Sequence, residues 1–206
     1  MQTPTQPSPP APMDLTLTMS GIAVSRFFPI LGEGILVKGP GGENVEGFLQ
    51  KAAGVSPAYL KGHVQTVFLD GRALDDFSTA VVGDGAVLAL SAAMPGLAGA
   101  VLRRGGFYAA MRRQISHEGG GAAAAGAPIT VTLKLFNLVA RDLGPGLLGR
   151  GILLPGGRLV DFIARQGRWI WKGCEGARVD GRVVGAEEVP GLIHPGRAVV
   201  LTVASD

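Results

Sequence analysis

Leu15, Leu17 and Met19 alternate with Thr16 and Thr18, the period-two signature of a strand buried on one face. A second strand is predicted over Gly32–Lys38, entered through a glycine-rich turn. The period then changes. Across Glu43–Ala53, Val45, Phe48, Leu49 and Ala52 fall at helical spacing, with Asn44 placed to cap the start and Gly54 to close the end. Gln65–Leu69 and Ala73–Leu74 flank Asp70-Gly71, a pair that favours a tight hairpin turn. Ala86–Ala92 follows the turn Gly83-Asp84-Gly85 and is the most apolar strand of the series. The order is β-β-α-β-β.

The same order recurs later in the chain. Thr130–Phe136 and Gly151–Leu154 read as opening strands, and Leu159–Gln166 as a short helix with Leu159, Phe162 and Ile163 on one face. Asp180-Gly181 supplies the hairpin turn and Ala198–Val203 the closing strand. LTLTMSGIAVSRFFPILGEGILV at 15–37 answers VTLKLFNLVARDLGPGLLGRGILL at 131–154, and the strand–turn–strand blocks that follow answer each other too. Repeated order with variable loops predicts two copies of one small domain, 14–96 and 129–206. Each, at roughly 80 residues, is long enough for a modest core. The start, 1–13, is rich in Pro, Thr and Gln and predicts a disordered tail; it lacks the basic and apolar regions of a signal peptide. Residues 97–116 belong to neither copy and read as a basic extension, a loop running into a short helix. HEGGGAAAAGAP at 117–128 has the small residues of a flexible linker.

Composition sharpens the class. A chain that is 47% hydrophobic and 17% charged folds. Its 33 glycines and 14 prolines favour many tight turns over long helices, hence an α+β fold. The single cysteine, Cys174, excludes an intrachain disulfide and suits a reducing cytoplasm. Ala86–Leu102 is apolar enough to suggest a membrane segment, but Pro95-Gly96 breaks it in the middle, and a buried strand followed by a loop accounts for it. The net charge of +3 is unevenly placed: Arg103, Arg104, Arg112 and Arg113 cluster behind a first copy in which carboxylates outnumber cations. Such a segment either folds back on that copy or recruits an acidic partner.

VFLDGRAL, Gly83-Asp84-Gly85 and AVLALSAAMPGLAGA resemble the second half of the MoaD/ThiS sulfur-carrier family, and ITVTLKLFNLVARDLG at 129–144 resembles its opening strand and helix. The resemblance implies tandem ubiquitin-like β-grasp domains. It also implies a protein partner, an E1-like adenylating enzyme or the molybdopterin synthase large subunit, and a link to sulfur transfer or to molybdopterin- or thiamine-type cofactor biosynthesis. The family's chemistry needs a free C-terminal glycine. The first copy instead has Gly99-Ala100 at the matching place and continues, and the second ends Val203-Ala204-Ser205-Asp206. The expectation is therefore a non-catalytic carrier-like or adaptor module without a cofactor. Two alternatives are a sulfur carrier activated by proteolysis and a nucleic-acid-binding β-grasp module.

The candidate residues follow from those readings. Leu102-Arg103-Arg104-Gly105-Gly106 resembles the conjugation tail of ubiquitin-like proteins. Phe107-Tyr108 follows directly, so Gly105 and Gly106 become a carrier end only after cleavage; otherwise they form a turn before a basic helix. Arg103, Arg104, Phe107, Tyr108, Arg112 and Arg113 form one candidate partner-binding surface. Trp169 and Trp171, interleaved with Arg165, Arg168 and Lys172, form another, either as a partly buried strand edge or as a contact patch. Protein contact suits that mixture better than nucleic acid, because the surrounding charge is of both signs. Gly144-Pro145-Gly146-Leu147-Leu148-Gly149 matches G-x-G-x-x-G literally, but a strand-like run follows it, so it reads as a structural turn. His63, His117 and His194 lie far apart without ligand spacing, and no metal site is predicted. Cys174, near Arg168 and Lys172, reads as a lone loop residue, or as a nucleophile if those cations favour its thiolate.

Overall fold

The computed structural model describes residues 10–92, 99, 102, 103 and 125–205. The chain is α+β. In the first repeat, β1 (Met13–Met19) leads through a 3₁₀ turn (Gly21–Phe27) into α1 (Phe28–Glu33) and then β2 (Ile35–Pro40). α2 (Val45–Phe48) continues as a wide turn over Leu49–Ala53, and α3 (Pro57–His63) precedes β3 (Thr66–Leu69), β4 (Arg72–Ala73) and β5 (Val87–Ser91). The second repeat runs β6 (Pro128–Phe136), α4 (Asn137–Arg150), β7 (Ile152–Pro155), α5 (Gly156–Gln166) and a 3₁₀ turn (Gly167–Trp171). It closes with β8 (Cys174–Val179), β9 (Arg182–Val184), α6 (Val189–Leu192) and β10 (Ala198–Ser205).

Local signals are realised where chemistry demands one conformation. Asn44 caps α2 by accepting from the Gly47 N–H at 2.7 Å, and Gly54 ends the following turn in the left-handed region (φ 70°). Both Asp-Gly pairs take positive φ at each residue, 52° and 79° at Asp70-Gly71 and 46° and 80° at Asp180-Gly181. This is the mirror-image turn whose twist matches a hairpin. Each aspartate also ties its turn to the sheet: Asp70 accepts from the Val87 N–H, and Asp180 from the Asp14 N–H.

The strands form a ten-stranded sheet in the order β4-β3-β5-β6-β2-β7-β10-β1-β8-β9. This differs from the β-grasp expectation, in which the two opening strands of each copy pair with each other. β1 does not pair with β2, nor β6 with its successor β7. The chain between each of these pairs is helical, and it carries the next strand away. β1 instead lies parallel to β10 and antiparallel to β8, while β6 lies antiparallel to β2 and parallel to β5. Each repeat thus gives its first strand to the strands of the other, so the predicted units 14–96 and 129–206 share one sheet. The two five-stranded halves meet at a single pair, Leu36 with Leu153.

Alternate strand residues enter one continuous core. Met13, Leu15, Leu17 and Met19 of β1 and Ile129, Val131, Leu133 and Leu135 of β6 are buried in it, as are Phe27 and Phe162 from the helical layer. The intervening positions, including Thr16, Thr132, Leu36, Leu153 and Thr202, are half-exposed on the other face. Three further readings are corrected. Gly144–Gly149 is not a turn but lies inside α4. A Cβ on Gly144 would sit 3.1 Å from Leu31 and from the Phe28 ring, so that glycine lets α1 lie close on α4. The last residues of the predicted tail are held in the fold, since Met13 is already in β1 and the Ala11 and Pro12 carbonyls accept from Arg197; residues 1–9 lie outside the described residues. The end of the predicted linker is held too: Gly126 donates to the Gly41 carbonyl, Gly41 donates to that of Ala127, and Pro128 begins β6.

Candidate interaction surface

The segment after α5 is built to hold one tryptophan outward. Gly167 leaves α5 with φ 57°, and the 3₁₀ turn that follows rotates successive side chains by about a third of a circle. Ile170 therefore plugs fully into the core, Trp171 packs half-buried against it, and Trp169 stands 56% exposed. This corrects the strand-edge expectation for the two tryptophans. Gly173 brings the turn against the first 3₁₀ turn. Its carbonyl accepts from the Ser20 N–H at 2.7 Å, and a Cβ there would collide with the Ser20 hydroxyl.

That contact delivers Arg26, distant in sequence, to Trp169. Its guanidinium lies 4.3 Å from the indole centroid, and Nη1 donates to the Trp169 carbonyl at 3.3 Å. Lys172 approaches the same ring at 5.5 Å. Two cations on one indole hold its orientation through the ring quadrupole. The first 3₁₀ turn has a second ridge. With three residues per turn, Ile22, Ser25 and Phe28 align beside the Ala23–Arg26 ridge. Ile22 is 88% exposed. It borders a groove of about 420 Å³ whose other walls are Pro145, Gly149 and Val203–Ser205. One short 3₁₀ turn thus carries both Arg26, which meets the exposed indole, and Ile22, which borders the groove.

The other expected site residues fall elsewhere. Arg103 is engaged by its own chain, Nε and Nη2 donating to Gln65 Oε1 at 2.9 and 2.7 Å beside β3. Arg104, Gly105, Gly106, Phe107, Tyr108, Arg112, Arg113 and His117 lie outside the described residues. His63 stacks on Tyr59 at 4.9 Å, and His194 Nδ1 accepts from the Gly196 N–H. Tyr59 itself donates to Asp142 Oδ2 at 2.9 Å, and burial together with that carboxylate pushes its hydroxyl pKa well above the ordinary phenol value. Among the described residues no group of three or more His, Cys, Asp or Glu is placed to hold a metal ion. Cys174 is half-buried at the start of β8, with Sγ 3.5 Å from the Gly176 carbonyl. Burial raises its thiol pKa, with the Gly176 hydrogen bond opposing and Glu175 adding to the rise. That environment disfavours a nucleophilic thiolate.

Nothing in the sequence marks Arg26 or Ile22 as surface-forming. SGIAVSRFFPI lacks a clean period, and nothing local marks which of its apolar residues faces out. Among the described residues no helix is long and apolar enough to cross a membrane. No protein-family model, curated protein or solved structure matches this chain.

Proposed function

We propose that this chain is a non-catalytic cytoplasmic adaptor built on two β-grasp-like halves, and that its protein partner seats on the surface around Trp169. The strand order supports the β-grasp part of the reading. In β4-β3-β5-β6-β2, two parallel central strands are flanked by antiparallel neighbours and end in a tight outer hairpin, with β6 standing where the repeat's own first strand would. The observation that carries the functional part is Trp169, more than half exposed yet fixed by Arg26 and Lys172. A pre-oriented indole loses little entropy on binding, and Trp and Arg are the residues that dominate interface energetics. The charged groups placed on its ring, Arg26 and Lys172, are cations, which suit attraction of a carboxylate-bearing surface better than proton transfer. The partners implied by the family resemblance are an E1-like adenylating enzyme or the molybdopterin synthase large subunit.

The test is a photo-crosslinking residue at Ile22, used in the native host, with the captured protein then purified. Trp169→Ala should weaken its binding by roughly thirtyfold, the loss of one hot-spot residue, with thermal stability nearly unchanged because the ring is exposed. Equal affinity of wild type and Trp169→Ala for that partner refutes the assignment.

A further inference from the structure

The seam between the two halves of the sheet is thin. Leu36 and Leu153 are the one register pair joining β2 to β7, and beside this pair opens a cavity of about 590 Å³ that shares no lining residue with the groove at Ile22. Its size lies in the range of small-molecule sites, about 300–1,000 Å³. Leu36, Leu153 and Val200 give it apolar walls, and Lys38, Lys51 and Arg150 also line it, whereas among the described residues no carboxylate does. In a chain whose net charge is only +3, three cations on one concavity are a local concentration of charge.

The cations differ in how they are held. Arg150 is positioned: Nη2 donates to the Ala53 carbonyl at 3.1 Å, and the guanidinium lies against Gly54, where a Cβ would stand 3.2 Å from Nη1. Lys51 is partly neutralised by Glu43 at 2.6 Å. Lys38 is exposed and makes no ion pair among the described residues. A concave, low-dielectric wall focuses the field of such charges, and the aliphatic stems of lysine and arginine extend the apolar lining up to their charged heads.

We propose that this seam cleft binds a small organic anion with an apolar body, the carboxylate or phosphate end meeting Lys38 and Arg150 and the body lying on Leu36, Leu153 and Val200. The site is independent of the adaptor surface, and either can fail without the other. The experiment titrates the isotope-labelled full chain with anilinonaphthalene sulfonate and, separately, with the uncharged N-phenylnaphthylamine. Amide shifts on adding the sulfonate should centre on Leu36–Lys38, Gly151–Leu153 and Val200. Lys38→Glu, an exposed change that leaves the fold intact, should weaken the sulfonate about tenfold, the worth of one charge-assisted hydrogen bond, and leave the neutral probe unaffected. Val200→Trp, which fills the cleft from its half-exposed wall, should abolish binding of both at unchanged spectral dispersion. Shifts centred elsewhere, equal affinity for the two probes, or indifference of the sulfonate to Lys38→Glu would each overturn the proposal.

Discussion

Separating the repeats should unfold the second one. In the sheet, β1 is inserted between β10 and β8, making seven register pairs with the first and five with the second. Its Met13, Leu15, Leu17 and Met19 are all at most 2% exposed. Full burial of such a side chain contributes about 1.5–3 kcal/mol. Four of them together rival the roughly 5–15 kcal/mol net stability of a whole domain. Their removal also leaves β10 and β8 without a shared neighbour, exposing two unpaired strand edges. A fragment of residues 125–206 should therefore give a collapsed amide spectrum and solvent-exposed tryptophan emission, since Trp169 and Trp171 both lie within it. Adding a synthetic peptide of residues 10–20 should restore dispersed amides and blue-shift the emission from Trp171. Native dispersion in the fragment alone would refute the reasoning, because it would mean that β10 and β8 close without β1.

Other consequences are more local. Gly71→Val or Gly181→Val forces a β-branched residue into φ near 80° and should lower stability by about 1 kcal/mol or more, read from denaturant midpoints. Asp180 has a lowered pKa, chiefly because it accepts the Asp14 N–H, with Arg197 adding to the effect. Its stabilisation is therefore fully present above the ordinary aspartate value of about 3.9 and is lost as pH falls through the lower folded value. Melting curves of wild type and Asp180→Asn should differ at neutral pH and converge in acid; a constant gap would show that the carboxylate charge plays no part.

The elements whose conformation is set by nearby atoms could be read directly from the sequence. The alternation in LTLTM and VTLKL is imposed by the two-residue repeat of a strand. Asn44 and Gly54 bound α2 and its continuation through hydrogen bonding and φ at their own positions, and the Asp-Gly pairs admit few turns other than the one observed. The basic–aromatic run at 165–172 likewise stands out in the sequence as a candidate contact patch, although the sequence does not show which of its two tryptophans faces out. Strand pairing was decided elsewhere. Main-chain ladders are indifferent to side-chain identity, and β1 and β6 present the same alternation, so either can fill the slot of the other without moving a polar residue into the core. What selects between them is non-local: the helical connections Gly21–Glu33 and α4 are long enough to carry the chain from one half of the sheet into the other. The same holds for Arg26 over Trp169. Only the close approach of the Ser20–Phe27 and Gly167–Gly173 segments, permitted by a glycine at 173, brings together residues that the sequence leaves far apart.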